Sequence, residues 1–426
     1  MSLDQLTLLE SEAEAAPADR LPIEEELLHF NQFGTPTTLV ETRADGQSGE
    51  EIVVKTYVNE FWTAKQRQAN RLHEVSYRAC FKPQLARFFI ERLTNPGDVV
   101  CDPFMGRGTT ILEAALLGRV PMGCDINPLS EILIRPRLAV PCLNDIKGRL
   151  SEFNFEYADD CPDELLVFFH PDTLREICAL KSYLLRRESE NELDEVDRWI
   201  RMVAVNRLTG HSKGFFSVYT LPPNQAVSIK SQQKINEGRN QIPPRRSVLE
   251  LILKKSRALL SGCDASTRER LRGKLRKAKL LTGSAAKTEL QSNSVALAVT
   301  SPPFLNVVDY ATDNWLRCWF CGIDSASVPI TILKKLEDWQ AAMTEVFVEL
   351  ERLLRPGGHV AFEVGEVNKG TIRLEEAVIP CGMKAGLSPE FVLINDQQFT
   401  KTANCWGVDN RVKGTNTNRI VVFRKE

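Results

Sequence analysis

The stretch Asn95 to Asp125, "NPGDVVCDPFMGRGTTILEAALLGRVPMGCD", limits the fold of this chain more than any other. Two short apolar runs, "DVVCD" and "VPMGCD", each end in an aspartate, and between them lie a glycine-containing loop and a helix-length segment closed by Gly118. Strands separated by a helix cannot form a tight hairpin, so the spacing predicts a parallel pair with a crossover helix. Both aspartates then fall at the carboxyl edge of the sheet, where open α/β folds bind ligands. Gly106 and Gly108 allow backbone to approach a ligand closely, and Asp125 is placed to accept both hydroxyls of a ribose. Isoleucine at 111 departs from the dinucleotide pattern, and Thr109-Thr110 after Gly108 departs from the phosphate loop. The loop suits a ligand with a ribose and no phosphates.

A second stretch, "SVALAVTSPPF", Ser294 to Phe304, reads as a β-run stopped by two prolines, which cannot donate to a sheet ladder. Upstream, "KPQLARFFIERL" carries Leu85, Phe88, Phe89 and Leu93 at helical spacing. With 426 residues, 43% of them hydrophobic, the chain can bury a large core. No positively charged start with an apolar h-region and no apolar run near ~18 residues is present, so a cytoplasmic chain without membrane contact is expected. Eleven scattered cysteines fit a reducing compartment, and "CWFC", Cys318 to Cys321, lacks a second ligand pair, so buried thiols are expected and no metal.

Charge is segregated along the chain. Residues 201–279 hold 18 Lys or Arg against 4 Asp or Glu, a local +14, and the total of −2 leaves −16 for the remainder. A block that nearly lacks acids, with "QIPPRRS" and "RERLRGKLRKAKLL" inside it, is an electrostatic footprint for a polyphosphate. The first residues, by contrast, are rich in glutamate and read as a poorly ordered arm.

At these residues the sequence resembles the S-adenosylmethionine-dependent DNA amino-methyltransferases, of N4-cytosine or N6-adenine type. "DPFMGRGTT" is similar to their cofactor loop, "TSPPF" to the signature ending their fourth strand, and "LLRPGGHVAFEVGE", Leu353 to Glu366, to a later helix, turn and strand. The resemblance covers roughly residues 70–134 and 281–426. It implies a Rossmann-like doubly wound methyltransferase sheet with an inserted, largely helical, basic recognition region. The expected layout is an acidic arm over 1–55, a cofactor half over 56–134, the insert over 135–280 and a catalytic half over 281–426.

The resemblance also implies roles. Asp102, Pro103, Phe104, Gly106, Gly108, Thr109, Asp125, Ile126 and Ser284 are expected to hold S-adenosylmethionine, with Ser284 standing where relatives often carry an acid for the adenine amine. Ser301, Pro302, Pro303 and Phe304 are expected to hold the target base. An exocyclic amine is a weak nucleophile because its lone pair is delocalised, so acceptors must grip its hydrogens. The Ser301 hydroxyl and carbonyls of a turn without competing N–H groups suit that task, and Phe304 offers a face for a flipped base. Asp309 and Tyr310 either line the base pocket or start a helix.

Serine at the first place favours cytosine N4, by the family's association. Adenine N6 is the runner-up, and an RNA base amine, as in relatives that modify tRNA, is third. A binding protein that keeps the fold without catalysis is the alternative of another class. Cytosine C5 chemistry is disfavoured because no Pro-Cys follows the fourth strand. Double-stranded DNA is the expected partner, and any cognate restriction endonuclease would be a separate chain.

Overall fold

The computed structural model describes residues 21–46, 49–63, 69–77, 80–153, 161–221, 226–303, 310–329, 333–367, 372–396 and 417–426. In chain order the strands are β1 (Thr38–Asp45), β2 (Glu51–Asn59), β3 (Val99–Asp102), β4 (Val120–Asp125), β5 (Lys279–Thr282), β6 (Val295–Thr300), β7 (Leu354–Val364), β8 (Glu366–Val367), β9 (Ile372–Arg373), β10 (Ser388–Asp396) and β11 (Thr417–Arg424). The helices are α1 (Ile23–Leu28), α2 (Pro83–Leu93), α3 (Thr109–Leu116), α4 (Leu129–Leu138), α5 (Leu143–Glu152), α6 (Pro171–Ser189), α7 (Glu195–Val205), α8 (Ile229–Arg239), α9 (Val248–Leu260), α10 (Ala265–Leu275), α11 (Tyr310–Phe320), α12 (Leu336–Leu353) and α13 (Leu374–Lys384).

Nine strands form one sheet in the order β5-β4-β3-β6-β7-β11-β10-β2-β1. The run from β5 to β7 is parallel, and β11 enters antiparallel between β7 and β10. This is the expected doubly wound α/β fold. Successive residues face opposite sides, as the pleat requires. Leu297, Val299, Ala361 and Val422 pack with α2 on one side, while Ala298, Val360, Phe362 and Val421 pack with α12 and α13 on the other. Because both faces are covered, these strands read as continuous apolar runs.

Chain order makes β3 the pivot. The chain moves outward through β3, β4 and β5, then returns to place β6 on the other side of β3. The loops after β3 and β6 therefore diverge and leave a crevice between them.

Two parts of the layout depart from the sequence reading. Residues 38–55, assigned above to an acidic arm, mostly belong to the β1–β2 hairpin, which runs on to Asn59, and β2 runs parallel to β10 as an extension of the sheet. Within 135–280, α5 to α9 form a helical layer over α4 and α11, but α10 belongs to the sheet's own flank, packed on α3 and α4. Its C-terminal end delivers the chain to the start of β5, so Arg276, Lys277 and Lys279 sit at the edge opposite the crevice. Among the described residues no helix is long and apolar enough to cross a membrane.

Candidate active site

The crevice between the β3 and β6 loops is a cavity of about 290 Å³. It brings together Asp102, Pro103, Phe104, Gly106, Thr109, Asp125, Ile126, Ser284, Ser301 and Pro303, all expected from sequence. Gly108 and Pro302 do not line it. Phe304 and Asp309, and the side chain of Tyr310, lie outside the described residues.

Asp102 stitches β3 to both loops. Its Oδ1 accepts from Thr300 Oγ1 at 2.6 Å and from the Phe104 backbone N–H at 3.1 Å. Burial pushes its carboxyl up to about 7, although the bonds from Thr300 and Phe104 pull the other way. Asp125 accepts from the N–H groups of Gly106 and Asn127, each at 2.8 Å, so one carboxylate fixes the glycine loop and the turn into α4. It also remains on the cavity wall, so capping and ribose binding are compatible roles.

The two loop glycines serve different ends. Gly106 has φ +47° and lines the cavity, where a Cβ would come 3.7 Å from Tyr77 Cε1. Gly108 has φ +76° at the N-cap of α3, and a Cβ there would lie 2.4 Å from Ile134 Cγ1. Its lack of a side chain lets α3 pack closely on α4.

Besides Ala285, Ala286, Pro329 and Leu333, sequence reasoning missed three parts of the wall. The first is the segment before α2, from which Tyr77, Cys80 and Phe81 face the cavity. Arg107, between the two glycines, holds it by donating to Val75 O at 3.0 Å and to His73 O and Phe81 O at 3.4 Å. Buried Arg137 donates to Leu72 O and to the Arg107 carbonyl, and burial with the neighbouring Arg107 charge pushes it down to about 9. The second is α12, which contributes Ala342, Met343, Glu345 and Val346. The third is Asn127, two residues after Asp125.

Ser301 has a partner no local motif announces. Its hydroxyl donates to the carboxylate of Glu363 on β7, which also accepts from Asn418 Nδ2 at 2.8 Å. Glu363 is buried, and burial raises its carboxyl above the ordinary range against the pull of those two bonds. A Ser301 proton given to the Glu363 carboxylate leaves the hydroxyl oxygen as an acceptor towards the cavity. The Pro303 carbonyl accepts from Trp339 Nε1 of α12 at 3.0 Å, so it is held rather than offered. Ser284 accepts from Ala286 N at 3.2 Å and presents its hydroxyl to the cavity.

Cys318 on α11 and Cys321 just after it are buried free thiols, as expected. No group of three His, Cys, Asp or Glu among the described residues is placed to hold a metal ion.

Comparison with known proteins bears on this arrangement. Residues 22–132 match the DNA methylase family. That match spans the α1 helix, the β1–β2 hairpin, the segment before α2, α2 itself and the whole β3–α3–β4 unit. The chain is 24% identical over 369 residues to the type II methyltransferase M.BsoBI of Geobacillus stearothermophilus, covering 72% of this chain and 69% of that one. It is 33% identical over 116 residues to a tRNA (guanine(10)-N2)-dimethyltransferase of Methanocaldococcus jannaschii, covering 26% and 33% of the two chains. Among solved structures, a TehB-like SAM-dependent methyltransferase of Corynebacterium glutamicum aligns with TM-score 0.29 and 8% identity, over 80% of this chain and 88% of that one.

Proposed function

We propose that this protein transfers a methyl group from S-adenosylmethionine to an exocyclic amine of a flipped-out DNA base, and that the amine is N4 of cytosine. The observation that carries the reading is the sharing of one cavity by the Asp102–Gly106–Asp125 wall and by Ser301, whose hydroxyl proton is held by Glu363. The match of residues 22–132 to the DNA methylase family and the likeness to a type II methyltransferase support DNA as the substrate.

The residues present fit the cofactor. Asp125 faces the cavity where two ribose hydroxyls can donate, Gly106 keeps the wall open, and Ile126, Ala285, Met343 and Val346 give an apolar bed for a base. When bound, S-adenosylmethionine supplies an electrophilic methyl carbon on a sulfonium. The chain supplies alignment. Ser301 Oγ and a backbone carbonyl of the Ser-Pro-Pro turn accept from the two hydrogens of the amine and draw its nitrogen towards tetrahedral geometry. Glu363 keeps the Ser301 hydroxyl turned so that a lone pair, not a proton, faces the amine. Trp339 fixes the turn through Pro303 and thereby fixes where those acceptors point.

The test is incubation with labelled S-adenosylmethionine and unmethylated DNA, followed by digestion to nucleosides. Labelled N4-methylcytosine is expected. N6-methyladenine would keep the mechanism and overturn the choice of base. Label in RNA alone would favour the reading suggested by the tRNA-modifying relative.

A further inference from the structure

One carboxylate on the cavity wall has no task in the chemistry above. Three acids line the cavity, Asp102, Asp125 and Glu345. Asp102 and Asp125 are engaged by the loops they fix. Glu345 of α12 is exposed and, among the described residues, has no hydrogen bond or ion pair. Elsewhere on the wall, Asn127 Oδ1 accepts from the Leu129 N–H at 3.0 Å and Ser284 Oγ from the Ala286 N–H at 3.2 Å. Glu345 is thus the unengaged anionic acceptor of the cavity.

The fold places Glu345 beside the loop that follows β5. One helical turn further along α12, Glu349 Oε1 accepts from the Thr288 N–H at 2.7 Å and from Thr288 Oγ1 at 2.6 Å. Residues four apart share a helix face, so Glu345 lies on the face of α12 that runs along the loop from Ser284 to Thr288. Ala285 and Ala286 of that loop pack in one core with Ala342, Met343 and Val346. Sheet order then says which part of the cofactor lies here. The ribose belongs at Asp125, at the end of β4, and the reacting methyl must lie by Ser301, beyond β3 on the other side. The purine is left with the β5 side of Asp125, over Ile126, Ala285, Met343 and Val346. Adenine in an apolar bed brings an amine whose hydrogens need an acceptor, because a buried donor without one is costly.

We propose that the Glu345 carboxylate accepts from the 6-amine of the S-adenosylmethionine adenine and so selects adenine over a 6-oxo purine. This rests on the methyltransferase reading for the identity of the ligand. A carboxylate accepts and does not donate, so a purine with oxygen at C6 would set oxygen against oxygen. Trp339, on the same helix, holds the Pro303 carbonyl, so one rigid element registers both the purine and the acceptor turn.

The test is calorimetric binding of three probes to the parent and to variants of Glu345. The probes are S-adenosylhomocysteine, S-inosylhomocysteine, in which oxygen replaces the 6-amine, and 5′-methylthioadenosine, which lacks the amino-acid part. The parent should prefer the adenosyl to the inosyl ligand by roughly 10- to 100-fold. Glu345→Met keeps the length and removes the acceptor, so both adenine probes should bind roughly 10-fold more weakly while S-inosylhomocysteine binds as before or better. The amide of Glu345→Gln can accept from an amine or donate to a 6-oxygen, so there the preference should shrink to within roughly 3-fold. The side chain is exposed, and urea melts of both variants should match the parent. An unchanged adenosyl-to-inosyl preference in Glu345→Met, or an equal loss with both ligands, overturns the assignment. So does a loss with S-adenosylhomocysteine and none with 5′-methylthioadenosine, which would turn Glu345 towards the methionine ammonium. A parent that binds none of the probes overturns the cofactor site and the assignment together. A parent with the Glu345-dependent preference that labels no DNA would sink the DNA amine reading while the assignment stands.

Discussion

Replacing Gly108 by alanine tests whether that glycine serves packing or ligand approach. The new side chain must hold φ near +76°, which costs an L-residue about 1–2 kcal/mol. Its Cβ would lie 2.4 Å from Ile134 Cγ1 and 2.7 Å from Cδ1, against ordinary carbon contacts of about 3.5–4.0 Å. Ile134 is buried between α4 and α3, so it has to shift by about 1 Å, and overpacking of this kind costs about 1–3 kcal/mol. Together the loss is about 2–5 kcal/mol, a large share of the stability of an ordinary domain. Urea unfolding followed by tryptophan fluorescence measures it. Ile134→Ala removes both colliding atoms, so in that background the cost of Gly108→Ala should fall to the backbone part, a coupling of about 1–3 kcal/mol. The packing argument is refuted if Gly108→Ala leaves stability within about 0.5 kcal/mol of the parent, or if its cost is the same with and without Ile134.

Gly106→Ala should behave differently, because its Cβ meets Tyr77 Cε1 at 3.7 Å and the Phe104 carbonyl oxygen at 3.8 Å, both ordinary contacts: stability should fall by about 1 kcal/mol, and calorimetry should show weaker S-adenosylhomocysteine binding. Glu363→Gln should lower kcat by roughly 10- to 100-fold with cofactor affinity intact, because the amide can donate to Ser301 and turn its proton towards the amine; equal kcat by initial rates would refute the orienting role. The Asp102 carboxyl, raised to about 7 in the fold, keeps a proton that the unfolded chain releases near its ordinary value. Stability should therefore fall as pH rises from about 4 to about 7, by a few kcal/mol, and Asp102→Asn should flatten that part of the curve in urea melts. Arg107→Met removes the donors to Val75, His73 and Phe81, so protease cleavage within 72–81 should accelerate and S-adenosylhomocysteine binding should weaken together.

What could be read from the sequence was local. The β3–loop–α3–β4 unit and the strand ending at Thr300 have apolar runs, glycine signals and strand-end acids within a few residues of one another. Glu363 was hidden because only the parallel pairing of β6 with β7, Thr300 opposite Phe362, brings it to Ser301. Arg107 looked like one more loop cation, yet its strongest partner is a carbonyl 32 positions earlier. The charge block showed how many cations the insert holds but not which way they face, and α10 turns its share to the sheet flank. The β1–β2 hairpin escaped notice because β1, an edge strand, shows exposed Leu39, Val40, Glu41 and Arg43 in place of a clean apolar alternation.

The packing of α11 sets a limit on how this architecture can diversify. The helical insert leaves the sheet after α4 and returns through α10, which packs beside α4, so its ends lie close together and it resembles an exchangeable cassette. The helix that follows the Ser-Pro-Pro turn is built into that cassette. Leu316, Cys318 and Phe320 share its core, Ala226 N–H donates to the Asp313 carbonyl, and Trp315 Nε1 donates to Val227 O. A transplanted insert that lacked these partners would strip the support from the element that carries the acceptor turn. New sequence preferences in such a lineage should accordingly arise by substitution on the exposed loops of the insert, while wholesale grafts between relatives should yield folded proteins that bind cofactor and turn over poorly.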